Sequence, residues 1–326
     1  MTQIINQEFG RNYAAYHADC IEMLKGLPSD SIDFHVYSPP FSSLYTYSSS
    51  DRDLGNSKTY QEFAEHYQYV ALELFRVLKP GRLMSVHCMN LPTSKERDGY
   101  IGLSDFRGDL IRLHQRDGFI YHSEVCIWKD PVTAMQRTKA LGLLHKTIRK
   151  DSAMSRQGIP DYLVTFRKPG ENPDPIPHTM DDFPIERWQR YASPIWVTTE
   201  GQDDEGFAIC TGQTNGTPDG SINPSDTLQK ESAREERDER HICPLQLSVI
   251  ERAIRLWTNP GDTVLDPFGG IGSTGYVAIK LGRKAILAEL KPSYYGQLVR
   301  NCQAAEVEAS QGVLPLCEID AECLVA

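Results

Sequence analysis

Residues 262–274 have the sequence DTVLDPFGGIGST. The apolar run 263–265 is typical of a buried strand, and the glycines that follow it are typical of a tight turn. A helix is predicted from there to about Leu281, with Gly282 ending it. A second apolar strand over 284–288 and a helix that begins at Pro292 complete a βαβα unit.

The same alternation of strands and helices occurs in the N-terminal part of the chain. Strands are predicted over 32–37, 82–88 and 120–128, with helices over 21–27 and 106–115. A further helix carries apolar residues at helical spacing and is expected to end at Pro80-Gly81; these residues are Phe63, Tyr67, Val70, Leu74 and Val77. The pattern predicts an α/β fold with a Rossmann-like, mostly parallel sheet.

Composition limits the class of protein. The 326 residues are 40% apolar and 24% charged, which is ordinary for a globular protein. No run of 18 apolar residues suggests a membrane span, and residues 1–8 lack the features of a signal peptide, so we expect a cytoplasmic protein. The eight cysteines contain no C-x-x-C pair, so no metal site is expected.

The alternation fails between Lys129 and about Arg240, and residues 199–240 are rich in polar residues and glycine. We interpret 129–240 as an inserted target-recognition region that ends in a mobile loop. It would divide one catalytic domain into halves, 1–128 and 241–326.

The net charge of −10 argues against nucleic-acid binding, but the charge is unevenly distributed. Residues 129–168 contain nine Lys or Arg against three acids, a local excess of +6. This stretch is either a nucleic-acid contact or a solvated basic surface. The candidate DNA-binding residues in it are Lys139, Lys146, Arg149, Lys150 and Arg156.

The turn at 266–274 lies between a strand and a helix, where glycines let a ligand approach the backbone and helix amides can bind a carboxylate. A purely structural turn has the same pattern. Glu289 follows Asp266 by 23 residues, near the spacing at which an acid meets a ribose in dinucleotide-binding units. No Gly-Lys-Ser/Thr triplet is present, which argues against phosphate transfer.

A second motif, Ser38-Pro39-Pro40-Phe41, follows the strand 32–37 at a carboxyl end of the sheet. Prolines have no N–H, so the carbonyls of Ser38 and Pro39 and the Ser38 hydroxyl are available to accept hydrogen bonds from an amino group. Phe41 would stack on the ring that bears it. A proline-rich turn with a buried aromatic is the structural alternative.

Together these motifs resemble the β group of DNA amino-methyltransferases. In that family a D/S-P-P-Y/F tetrapeptide comes first, a recognition region follows, and D-P-F-x-G-x-G-T comes last, in the order of 38–41, about 129–235 and 266–274 here. The segment 16–20 with Asp33 resembles the family's lead-in, and 241–246 resembles its H-P-x-Q segment. The resemblance covers roughly 14–128 and 241–305. Two departures are Ala18, where the family has Gly, and extra residues within the H-P-x-Q segment.

The resemblance implies a class I fold that binds S-adenosyl-L-methionine, with Asp19 near the adenine and His241 beside the methionine end. The tetrapeptide Ser38, Pro39, Pro40 and Phe41 would be catalytic. The implied cofactor-binding residues are Asp19, His241, Asp266, Pro267, Phe268, Gly269, Gly270, Gly272, Ser273, Thr274 and Glu289.

The implied activity is sequence-specific methylation of an exocyclic amino nitrogen on a flipped-out DNA base. We favour N4 of cytosine because Ser38 occupies the position where most N6-adenine members have Asp. Three alternatives stay open: an N6-adenine methyltransferase, an RNA or protein amino-methyltransferase, and a nucleic-acid-binding module without activity. The resemblance also permits a cognate restriction endonuclease and a homodimer.

Overall fold

The computed structural model describes residues 4–41, 54, 57, 60–129, 141–196, 222, 226–228 and 245–311. Its strands are β1 (Ile4–Phe9), β2 (Tyr13–Ala18), β3 (Ile32–Tyr37), β4 (Leu78–Met89), β5 (Leu91–Pro92), β6 (Leu103–Ser104), β7 (Ile120–Ile127), β8 (Asp161–Arg167), β9 (Ile195–Trp196), β10 (Thr263–Asp266) and β11 (Lys284–Glu289). Its α-helices are α1 (Cys20–Lys25), α2 (Tyr60–Val77), α3 (Lys95–Asp98), α4 (Phe106–Arg116), α5 (His145–Lys150), α6 (Ile185–Tyr191), α7 (Leu247–Trp257), α8 (Ser273–Lys280) and α9 (Pro292–Gln311).

Nine strands form the central sheet in the order β1-β2-β11-β10-β3-β4-β8-β7-β9. The five neighbours from β2 to β4 are parallel, whereas β8 runs antiparallel to both β4 and β7. Strands β3 and β10 form the central pair. From β3 the chain continues to β4 on one side, and from β10 it continues to β11 on the other. This is the Rossmann-like α/β arrangement, and ligand sites in such sheets lie at the strand ends where the order diverges.

Helices cover both faces of the sheet. The predicted apolar stripe of α2 is buried and packs with α4 residues such as Leu110 on one face. On the other face α7, α8 and α9 bury Ile254, Ala278 and Leu298. All six residues of β3 are buried, as expected of a parallel strand covered on both sides.

The predicted end of α2 at Pro80-Gly81 is wrong. The helix ends at Val77, and β4 begins at Leu78, so both residues lie within the strand. Gly81 has a φ of +71°, and its N–H donates to the Lys168 carbonyl at 3.0 Å. The turn residues therefore mark a distortion of the strand beside β8 rather than a loop.

The proposed recognition region contains part of the central sheet. Strand β8 is hydrogen-bonded between β4 and β7, with Val164 opposite Val86, and β9 extends the sheet beyond β7. On this side of β4 the sheet is antiparallel, because β8 runs opposite to both β4 and β7. The boundaries 129–240 therefore overlap the central sheet, while the recognition role of the remaining residues stays a prediction.

An ion network joins three strands near their amino ends. The guanidinium of Arg82, 1% exposed, lies 3.3 Å from a carboxylate oxygen of Asp33 and 3.1 Å from one of Asp262. Lys79 Nζ is 2.6 Å from Asp33, and the other Asp33 oxygen accepts the Thr263 N–H at 2.8 Å. The network holds β3, β4 and β10 in register with one another.

We predict that Arg82→Met lowers the free energy of unfolding by about 3 kcal/mol, because it leaves buried carboxylates without their shared cation. Urea denaturation measures this. The matched control is Arg112→Met on α4, where the arginine is 62% exposed and also pairs with two aspartates, and its loss should stay below about 1 kcal/mol. Equal losses in the two variants would show that the buried network does not stabilise the sheet.

Candidate active site

The two sequence motifs meet at the carboxyl ends of adjacent strands. Strand β3 pairs in parallel with β10, with Phe34 opposite Val264. The Thr274 hydroxyl is 3.4 Å from the Val36 carbonyl oxygen. The rings of Tyr37 and Phe268 lie 5.8 Å apart between centroids. The tetrapeptide 38–41 and the glycine loop 266–274 therefore flank one position above the sheet.

Asp266 fixes the shape of the glycine loop. It is 4% exposed, and its carboxylate accepts the Thr274 hydroxyl at 2.7 Å and the Phe268 N–H at 2.9 Å. Burial raises its pKa to about 6, although both hydrogen bonds oppose the shift. The Asp266 side chain therefore hydrogen-bonds to groups of the loop itself. Pro267 beside it is also buried.

The three glycines of the loop have different roles. A Cβ on Gly269 would lie 2.7 Å from Leu298 Cδ1, and one on Gly272 would lie 3.1 Å from Leu298 Cα, so both are required by the packing of α9. Gly270 has a φ of +54° and nothing nearer than 3.9 Å to its Cβ position. It leaves open space beside the loop.

Two further acids lie at neighbouring strand ends. Glu289 ends β11 opposite His17 of β2, and its carboxylate accepts the N–H groups of Gly270 and Lys291, each at 2.8 Å. Asp19 follows β2 and caps α1 by accepting the Ile21 N–H at 2.8 Å. Both acids are partly exposed, and a carboxylate can accept several hydrogen bonds at once. They can still accept from a diol or an amine.

The buried polar atoms that lack a hydrogen-bond partner among the described residues include Ser273 Oγ at the start of α8 and Gln246 Oε1 at the cap of α7. Such atoms in native proteins usually meet water or a ligand. Gln246 belongs to the predicted H-P-x-Q segment. His241 of that segment lies outside the described residues.

His87 of β4 and Phe106 of α4 contact the tetrapeptide. Ser38 is half-buried, and its Oγ lies 2.8 Å from His87 Nδ1. The Phe41 ring packs edge-on against Phe106 and His87, each at 6.1 Å between centroids, and remains partly exposed. Pro39 is buried and Pro40 is partly exposed.

The sequence analysis did not identify His87, which contacts Ser38, or Asp161, which contacts His87. His87 Nε2 is 2.8 Å from Asp161 Oδ2, and Lys129 Nζ forms an ion pair with the same oxygen. His87 comes near the end of the predicted strand 82–88, so its position could have been found from the strand pattern. Asp161 opens an apolar, β-branched run that was left inside the recognition region.

The predicted basic surface divides in two. Lys146, Arg149 and Lys150 on α5 are exposed. Arg156 is half-buried, and burial lowers its pKa. Lys139 lies outside the described residues.

Two other cations of the same stretch are engaged in ion pairs within the fold. Lys129 pairs with Asp161, and Lys168 Nζ lies 2.6 Å from Asp30 and 2.7 Å from the Leu78 carbonyl oxygen. The local excess of positive charge on the surface is therefore smaller than the sequence suggests.

The part of the chain that the structure describes contains no group of three or more His, Cys, Asp or Glu residues that could hold a metal ion. Cys88 is buried, which raises the pKa of its thiol and disfavours a thiolate nucleophile. None of the described helices is long and apolar enough to span a membrane.

The raised pKa of Asp266 predicts that the free energy of unfolding depends on pH. Because the pKa is about 6 when folded and near 3.9 when unfolded, the folded state binds more protons between these values, and stability falls as pH rises through 6. Asp266→Asn removes this dependence. In urea denaturation without ligand, the variant should gain about 1 kcal/mol relative to wild type on going from pH 5 to pH 8. If the difference in unfolding free energy between wild type and Asp266→Asn does not change with pH, Asp266 does not have a raised pKa.

Comparisons with known proteins agree with this geometry. A family model described as DNA methylase, of the N6/N4 methyltransferase type, matches residues 32–300. The type II methyltransferase M.BglII of Bacillus subtilis is 26% identical over 281 residues, covering 86% of this chain and 66% of that protein. The matched regions cover between 22% and 66% of the length of three such type II methyltransferases.

Two solved structures share the fold. TTHA0409 of Thermus thermophilus, complexed with S-adenosyl-L-methionine, is 23% identical with a TM-score of 0.61, covering 88% of this chain and 92% of that one. The cytosine-N4-specific PvuII DNA methyltransferase is 16% identical with a TM-score of 0.60, covering 95% and 96%. Since the family model matches most of its residues, the chain belongs to the DNA methylase family of N6 and N4 methyltransferases.

Proposed function

We propose that the protein transfers a methyl group from S-adenosyl-L-methionine to N4 of cytosine in a flipped-out base of a specific DNA sequence. The observation that carries this proposal is the meeting of Ser38-Pro39-Pro40-Phe41 with the glycine loop at the ends of β3 and β10. One motif offers acceptors for an amino group, and the other offers a place for a cofactor. Family membership makes this pairing the natural interpretation.

The residues at the strand ends fit such a cofactor. Gly272 caps α8 without a side-chain hydrogen bond, so amides of the first turn are available to a carboxylate. Glu289 and Asp19 offer lone pairs to ribose hydroxyls and the adenine amine, and the space beside Gly270 admits a ligand close to the backbone. When bound, the cofactor supplies an electrophilic methyl group on a sulfonium.

The protein's task at the other subsite is to localise a lone pair. The exocyclic amine of a base is a poor nucleophile because its lone pair is delocalised into the ring. Hydrogen bonds from the amine to Ser38 Oγ and the Pro39 carbonyl favour a pyramidal nitrogen that points toward the cofactor. The partly exposed Phe41 ring stacks on the base and offsets some of the few kcal/mol that flipping costs.

Cytosine is favoured over adenine by the residue at the first catalytic position. Ser38 stands where most N6-adenine members of the resembled family have Asp. A neutral hydroxyl is a weaker hydrogen-bond acceptor than the carboxylate of Asp. The likeness to PvuII methyltransferase shows the fold alone and does not choose between the two bases. The N6-adenine alternative is therefore an outcome of the first test below.

DNA would approach over the exposed basic face of α5. Lys146, Arg149 and Lys150 are exposed on this helix and would neutralise phosphates, and such contacts supply much of the affinity of DNA-binding proteins. A recognition role for this region, a partner restriction endonuclease and a homodimer remain predictions.

The product identifies the reaction. DNA from cells that express the protein, digested to nucleosides and analysed by mass spectrometry, should contain N4-methylcytosine. Ser38→Ala should reduce its rate of formation about 100-fold, comparable to removing one positioned hydrogen bond in an active site. N6-methyladenine alone would overturn the cytosine assignment, and no methylated nucleoside at all would overturn the proposed activity.

The DNA path is tested by charge reversal. Combining Lys146→Glu, Arg149→Glu and Lys150→Glu should weaken DNA binding and reduce the slope of log affinity against log salt by about 0.9 for each phosphate that is no longer neutralised. The control reverses three exposed cations elsewhere, Lys25, Arg116 and Lys284. If the slope falls equally in both triple variants, α5 is not the DNA contact.

A further inference from the structure

We propose that His87 and Asp161 form a hydrogen-bonded relay with Ser38 that turns the serine hydroxyl into an acceptor for the target amine and takes up the proton that the amine loses. This inference rests on the proposed methyl transfer and assigns roles to residues outside the tetrapeptide. In it, Ser38 touches the substrate, and His87 and Asp161 act through Ser38.

The relay is assembled from three neighbouring strands. Ser38 follows β3, His87 lies near the end of β4, and Asp161 begins β8 on the far side of β4. The two contacts, Ser38 Oγ to His87 Nδ1 and His87 Nε2 to Asp161 Oδ2, are both 2.8 Å. Asp161 is 1% exposed and His87 is 7% exposed, so the chain of contacts runs inward from the site.

The order of donors follows from the innermost group. A carboxylate can only accept, so His87 must carry its proton on Nε2 and donate it to Asp161. Nδ1 then has a bare lone pair, and the Ser38 hydroxyl donates to it. The lone pairs of Ser38 Oγ are left for the amine hydrogens of the base. Without this order, the serine proton would be free to turn toward the substrate.

Asp161 stays ionised despite its burial. Burial alone would raise its pKa, but the charge of Lys129 and the His87 contact outweigh it and hold the pKa at about 2. Both partners converge on Oδ2, while Oδ1 has no hydrogen-bond partner among the described residues. A buried charge with one oxygen unused is a costly way merely to join β4 to β8. The Ser85 and Thr165 hydroxyls already link these strands at 2.9 Å.

The relay also accounts for the proton that the methylated amine releases. The nitrogen lone pair forms the new N–C bond as the C–S bond breaks, and the bonding pair stays on sulfur as a thioether. The methylated nitrogen is then cationic and loses one proton to Ser38 Oγ. The serine passes its own proton to His87 Nδ1, and the resulting imidazolium donates to both Ser38 and Asp161.

Few charged groups surround this chain of contacts in the described part of the protein. Asp161 comes from β8, and Lys129 from the segment after β7. The Arg107–Glu124 pair of α4 and β7 contacts Tyr162 on the opposite face of the sheet. From α7, the Arg252 guanidinium lies over the rings of Tyr191 and Trp196. Lys129 is therefore the cation that can be removed to change the charge on the relay.

The test compares three variants under single-turnover conditions, with enzyme and cofactor in excess over sites in unmethylated genomic DNA. Asp161→Asn removes the negative charge that stabilises the His87 imidazolium formed when Ser38 passes on its proton; the methyl-transfer rate should fall about 100-fold, within the usual range for acid–base groups. Affinity for S-adenosyl-L-methionine should stay within about 3-fold. Thr165→Val removes a buried hydrogen bond from the same strand pair, and its rate should also stay within about 3-fold of wild type.

The pH profile separates a relay from a structural role. Wild type should lose rate at low pH as the imidazole protonates and ceases to accept from Ser38. Lys129→Met leaves the Asp161 charge uncompensated, which favours the imidazolium, so this acid limb should move to higher pH. The variant also serves if Asp161→Asn does not fold.

A wild-type rate in Asp161→Asn, or an acid limb that does not move in Lys129→Met, would overturn the relay. Both outcomes presuppose that wild type methylates the DNA. Failure of the proposed function is distinguishable, because wild type itself would then transfer no methyl group. If the product proves to be N6-methyladenine, the same comparison applies without change.

Discussion

The parallel pairing of β3 with β10 is the contact on which the site depends. The two strands belong to opposite ends of the chain, yet their hydrogen-bonded register places Val36 beside Asp266 and Thr274. From this pair the chain moves outward in both directions, which leaves a crevice above the strand ends. The buried Arg82 network fixes the opposite ends of the same strands. A shift of one residue in this pairing would turn Ser38 away from the glycine loop.

Three buried aspartates show how the fold distributes charge around this crevice. Asp33 is compensated by two cations at the amino ends of the strands, far from the crevice. Asp161 is compensated by Lys129 and directed at Ser38 through His87. Asp266 has hydroxyl and amide donors but no cation, and burial pushes its pKa upward. Stability is thus concentrated at one end of the sheet, and the uncompensated or relayed charges lie at the other, as is common at functional sites.

Much of this architecture is predictable from sequence, because hydrophobic periodicity reports local burial. The strands predicted over 32–37 and 284–288, the apolar face of α2 and the glycine turn are all confirmed. The run 161–167 has the apolar, β-branched composition of a strand, but its antiparallel pairing with β4 and β7 is set by tertiary contacts that no local pattern reveals. The same limit hid the relay, since His87 and Asp161 lie 74 residues apart.

The sequence also could not separate ligand-facing glycines from packed ones. Gly269 and Gly272 are required by the close approach of α9, whereas Gly270 borders open space, and only the packing of Leu298 distinguishes them. Likewise, charge counting cannot tell the exposed Lys146 from Lys168, which is used inside the fold. Tertiary partners decide which of several similar residues remain available for function.

The most direct test of this account is a crystal structure of the protein with S-adenosyl-L-homocysteine and a DNA duplex that contains its site. The account predicts a flipped base stacked on Phe41, with its exocyclic nitrogen about 3 Å from Ser38 Oγ and facing the cofactor sulfur beside the glycine loop. A cofactor bound away from the ends of β10 and β11, or a base whose amine does not reach Ser38, would contradict it.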